Sequence, residues 1–244
     1  MRLPLLDIIS VWGIREPFSA LSHAFGALLA LWATLHLVHR ARKRGRKGGS
    51  VLLYGATVVL AFSASALFHS VEASPDRLAL YGTIDHAAIF FLIAGTGTAI
   101  YSSLDVHWAD QLIAAVWGLT ILAIAMVLLF ESLGGWKIAV LYLALGWVAS
   151  MGLFVRAGPG TWEYLRSFLA GGLVFSVGAL VFATHWPNVW PGVIEAHEVF
   201  HVLVLIGEAF HLHFVYQYCT CPSAFCKSDS EAVSAPIRRR TEAA

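Results

Sequence analysis

Long apolar stretches recur along the chain, each bounded by a short cluster of charged, glycine or proline residues. A helix needs about 20 mainly apolar residues to cross a hydrocarbon core of about 30 Å. Seven stretches qualify, at about 18–38, 51–71, 79–102, 110–130, 136–156, 166–185 and 197–218. Lipid offers no partner to an unpaired backbone N–H or C=O, so these stretches must be helical. Short connections then predict an all-α membrane protein, a seven-transmembrane-helix bundle forming one domain over residues 18–218. Pairs of small residues four apart, Gly95 with Ala99 and Gly172 with Ser176, predict close helix approaches.

The flanks differ. Residues 1–17 hold Leu5, Leu6, Ile9 and Trp12, which predict a short interfacial helix. They contain Asp7 and lack an uninterrupted apolar core with a cleavage site, so they do not read as a signal peptide. Residues 219–244 form a tail rich in Ser, Ala and charge that reads as disordered.

Composition sharpens the class: 58% of the 244 residues are hydrophobic and 13% charged, too little polar sequence to cover an ordinary water-soluble surface. The net charge is +1 and the basic residues are confined to a few loops and the tail, which sets nucleic-acid binding aside. Cys219, Cys221 and Cys226 all lie at the last span's exit and tie no distant segments together; they read as inert thiols or acylation sites rather than metal ligands. Twelve basic residues fall on one side of the bundle, six of them in the first connection (Arg40, Arg42, Lys43, Arg44, Arg46, Lys47). Four, namely Arg2, Arg15, Arg77 and Lys137, fall on the other. The positive-inside rule therefore predicts the N-terminus outside and the C-terminus in the cytoplasm.

Polar residues within the spans carry the candidate chemistry. His197 and His201 stand four apart at the start of the last span, on one helix face and about 6 Å apart along the axis. Glu208 and His211 continue that stripe, whereas His213 points away. Span two ends with Ser65 and His69 on one face, and span three carries Asp85-His86 in its early turns. Three helices thus bring His69, Asp85, His197 and His201 to one membrane depth. Three imidazoles with an open position make the ligand set of a catalytic zinc. A lone intramembrane His is as readily a hydrogen-bonding group, and His23 and His211 are read that way. His36, His39, His107 and His185 lie near span ends and need no special role. His197-Glu198-x-x-His201 also matches the zinc-protease pattern, in which the Glu is general base, and Asp85 competes for that role from another helix. No lysine falls within a span, which excludes a retinal-type Schiff base.

Taken together, Ser65-x-x-x-His69, Asp85-His86-Ala87-Ala88-Ile89-Phe90, and Trp190-Pro191-Gly192 followed by His197-Glu198-Val199-Phe200-His201 resemble the bacterial haemolysin III family. That family is similar to the progestin and adipoQ (adiponectin) receptors and, more distantly, to the alkaline ceramidases. The resemblance runs from about Glu16 to Tyr218. It implies zinc held by His69, His197 and His201, with Asp85 and Ser65 near the metal-bound water, in a multi-pass protein of the bacterial inner membrane. Adiponectin receptors have a cytoplasmic N-terminus, whereas the charge count predicts the reverse, as in the ceramidases. The expected function is a zinc-dependent hydrolase of lipid amides or esters, with a ceramide-like membrane lipid as substrate. Asp85 would move the water's proton and Ser65 would hydrogen-bond a ligand or the substrate. The alternatives are a receptor-like or pore-forming, cytolytic protein with structural zinc and, third, an intramembrane protease.

Overall fold

The computed structural model describes residues 10, 12–104, 106–130, 135–155 and 162–220. Among the described residues, seven helices are long and apolar enough to cross a membrane. They are α1 (Pro17–Lys43), α2 (Gly49–Ser70), α3 (Pro75–Tyr101), α4 (Ala109–Leu129), α5 (Trp136–Val155), α6 (Trp162–Thr184) and α7 (Ala196–Phe214), the last continued by a π-helical turn, Val215–Cys219. Three helices exceed their expected limits by four or more residues, among them α6, which starts at Trp162 rather than near 166. α1 runs on through Arg40, Arg42 and Lys43, and α3 starts at Pro75 rather than near 79. Proline at the first helical position is pre-set for a helix start, and Asp76 complements the positive end of the dipole. Basic side chains near a span's end reach toward the interface without breaking the helix. Of the expected interfacial helix, Leu5, Leu6 and Ile9 lie outside the described residues, as do the tail beyond Thr220 and its Cys221 and Cys226, while Trp12 is exposed in a turn rather than in a helix; Cys219 is buried.

Over its N-terminal half α1 is large and apolar on one face, small and polar on the other. On α1 the stripe Leu21, Phe25, Leu28, Trp32 and Leu35 is exposed, with the i, i+4, i+7 spacing of one helix face. The opposite face buries Ser19, His23, Gly26, Ala30, Ala33 and Thr34. Lipid tails are as apolar as leucine, so helices associate through close packing of small residues and interhelical hydrogen bonds. Both expected small-residue contacts occur. A Cβ on Gly95 would lie 2.1 Å from Thr57 Oγ1, so α3 approaches α2 at a distance only glycine permits. Gly172 sits under Trp147, whose Nε1 donates to Ser176 Oγ at 3.2 Å, joining α5 to α6.

α1 packs on α2 and α7, α2 on α3, α3 on α4 and α5, and α6 on α5 and α7, so the first and last spans meet. The segment entering α1 runs along the end of α2: Glu16 N donates to His69 O at 2.9 Å and Arg15 N to Ser70 O at 3.3 Å. At the opposite end, Arg40 donates to Thr220 Oγ1 and Tyr216 OH, both at 3.1 Å, while Arg46 donates to Ser102 O at 2.6 Å. The basic residues that predict a cytoplasmic side therefore clamp α1, α3 and α7 together at the end away from the histidines.

Candidate metal centre

His69 stands in the last turn of α2, His197 and His201 in the first two turns of α7. His197 Nε2 lies 3.0 Å from His201 Nε2 and 3.4 Å from His69 Nε2, and the three ligand atoms all fall within 4.8 Å of one another. A tetrahedral zinc with bonds of about 2.0–2.1 Å holds its ligand nitrogens about 3.3–3.4 Å apart. The ring nitrogens thus converge at close to the separation that one cation between them would require. These three histidines could hold a metal ion, and imidazole donors suit zinc as well as copper, iron and nickel.

Neighbouring side chains hold the rings. The Glu16 carboxylate contacts His69 Nδ1, so that Nδ1–H donates and the Nε2 lone pair faces the other two histidines. Arg15 pairs with Glu16, donates to Phe68 O at 2.6 Å and lies 4.7 Å over the Phe68 ring. Burial by itself raises the Glu16 carboxyl, but the hydrogen bond to His69, with the Arg15 guanidinium alongside, brings it below its ordinary value. His201 Nδ1 meets the ring of His23 from α1, at 3.0 Å to Nε2, which leaves His201 Nε2 for the shared centre. His23 is therefore a hydrogen-bonding neighbour on the far side of His201.

Glu198 is engaged elsewhere. Its Oε1 accepts from Ser19 Oγ and its Oε2 from Glu195 N, each at 3.0 Å, the latter completing a capping box at the start of α7. Ser65 is buried and Asp85 half-buried. Both line one cavity of about 350 Å³ that also reaches His197 and His201 and continues between apolar walls to Glu208 and His211. Sequence reasoning missed Glu16, placed in the flanking segment, and the pairing of Ser19 with Glu198. The signal was present: Glu16, Ser19 and His23 recur at three- and four-residue steps, one helix face at the mouth of span one.

The family model of Haemolysin-III related proteins matches residues 12–212. Hemolysin-3 of Bacillus cereus is 29% identical over 213 residues, covering 86% of this chain and 94% of that protein. The Hemolysin-3 homolog of Bacillus subtilis (strain 168) is also 29% identical over 213 residues, covering 84% and 94%. The Adiponectin receptor protein of Drosophila melanogaster is 26% identical over 241 residues, with 82% of this chain but 52% of that protein covered.

Proposed function

The chain belongs to the Haemolysin-III related family, and on that premise we propose that it is a zinc-dependent hydrolase of membrane-lipid amides or esters, with ceramide-like lipids as its substrate class. The observation that carries this reading is that, of three convergent imidazoles, His197 and His201 also line an apolar cavity large enough for part of an acyl chain. Zinc held by His69, His197 and His201 would supply a Lewis acid and lower the pKa of a water at the open position. Glu16 and His23 keep the His69 and His201 rings turned toward that centre. Asp85, from α3, takes the proton of the attacking water and returns it to the departing amine or alcohol. Ser65 hydrogen-bonds the substrate beside it. Ile89, Leu92, Phe175 and Val204, among the cavity walls, receive the acyl chain and exclude bulk water.

The names of the relatives support a second reading, a receptor-like or pore-forming protein in which the metal only joins α2 to α7. The protease reading has less support, because Glu198 has both oxygens bound at the helix cap and on Ser19. We further propose a bacterial inner-membrane location with the basic first loop in the cytoplasm, supported by the charge asymmetry. The deciding experiment incubates purified zinc-loaded protein with a panel of lipid amides and esters and measures free fatty acid. Release that depends on His69 and Asp85 supports the hydrolase; no release across the panel would move the assignment to the second reading.

A further inference from the structure

Glu208 lies seven residues beyond His201 on the same stripe of α7, about 10 Å further along the axis at 1.5 Å per residue. It is 4% exposed, deep in the bundle. Its Oε1 accepts a 2.5 Å hydrogen bond from the Tyr54 hydroxyl of α2. Its Oε2 is buried and has no hydrogen-bond partner among the described residues. Leaving a buried carboxyl oxygen unpaired is costly, and such an atom asks for an explanation. The same side chain lines the cavity that opens at His197 and His201. His211 lines it too, but its ring is stacked on Phe168 and its Nε2 lies 3.3 Å from Phe168 O.

We infer that Glu208, oriented by Tyr54, forms a second polar subsite at the inner end of the cavity. It takes a hydroxyl or amine group carried far along an amphiphile whose head lies at the three histidines. A hydroxyl both donates and accepts, so it satisfies Oε2 whether the carboxyl is ionised or protonated; an amine donates to the carboxylate. An unsubstituted alkyl chain reaching this depth offers Oε2 no partner. A site built to meet a polar group discriminates strongly against the analogue that lacks it. The inference deepens the lipid reading, since it requires an amphiphile in the cavity, but it does not require hydrolysis.

The test measures binding rather than turnover. Intact zinc-loaded protein in detergent is titrated with fatty acids and with their ω-hydroxy and ω-amino counterparts over a series of chain lengths, and bound ligand is counted by native mass spectrometry. At the length that spans the cavity, an ω-substituted acid should bind about tenfold or more tighter than its parent, the worth of a hydrogen bond to a buried group otherwise left unpaired. Combining Glu208→Leu with Tyr54→Phe, which leaves neither group unpaired, should abolish that preference while parent acids bind as before. Glu208→Gln keeps a partner for Tyr54 and should selectively lose the ω-amino preference, which decides the matter if the double variant fails to fold. Equal affinities at every length in the unmodified protein, or a preference that survives these variants, overturns the subsite. Protein that shows the preference yet hydrolyses no lipid retains the subsite and loses the catalytic reading; protein that hydrolyses lipids without the preference does the reverse.

Discussion

The carboxylate of Glu16, the residue just before α1, rests on Nδ1 of His69, a residue 53 positions away in the last turn of α2. The pair sets which ring nitrogen of His69 is available to a metal. Glu16→Gln should weaken metal affinity about 10–100-fold, the usual effect of losing an outer partner of a ligating histidine. Competition with a calibrated chelator measures it, and unchanged affinity would show that the contact does not tune the ligand.

Each of His69, His197 and His201 supplies one convergent nitrogen. Replacing any one by Ala should remove most bound zinc and lower the melting temperature, because the metal stabilises the state in which α2 and α7 meet. Elemental analysis of purified variants gives the answer. Stoichiometric zinc in the His69 variant would sink the shared site.

Asp85 lines the cavity at the histidines, whereas Glu198 is bound to Ser19 and the Glu195 backbone. Asp85→Asn should keep zinc and lose lipid hydrolysis by about 100-fold or more. Glu198→Gln can keep both of its contacts and should leave the rate nearly unchanged. Loss of activity confined to the Glu198 variant would revive the protease-type base.

Gly171 and Gly118 make a matched pair. A Cβ on Gly171 would lie 2.4 Å from His211 Cδ2 and 2.9 Å from Gly207 O, while one on Gly118 meets nothing within 4 Å. Gly171→Ala should destabilise the bundle by about 1–3 kcal/mol, and Gly118→Ala should not. Unfolding curves in mixed micelles compare the two directly; equal stability would mean that α6 and α7 can separate without cost.

For topology, six basic residues in the first connection predict a cytoplasmic C-terminus. A reporter active only in the cytoplasm, fused after Ala244, should give signal. Silence there with activity from a periplasmic reporter would reverse the orientation.

The fold was legible because span length and hydropathy state the membrane constraint almost directly, and the small residues Gly95 and Gly172 mark two real interfaces. The three convergent histidines were legible from helical spacing and matched depth. The helix ends of α1 and α3 were not, since a reading of apolar runs stops at the first charge although the backbone continues. Nor was Glu16, whose partner is remote in sequence and whose position falls outside every apolar run. Glu198 was ambiguous because its cap begins with Glu195 rather than the Ser or Thr that marks a capping box in sequence.

The meeting of α1 with α7, through His23 against His201 and Ser19 against Glu198, has a consequence for biogenesis. A chain emerging from the ribosome can pair Glu16 with His69 once its second span is inserted, but it then owns a single ligand. The other two arrive only with the seventh span, after the six preceding spans have been threaded into the bilayer. Metal capture at these three histidines would thus be tied to insertion of the seventh span, and a mis-inserted chain would lack the grip needed to retain an ion.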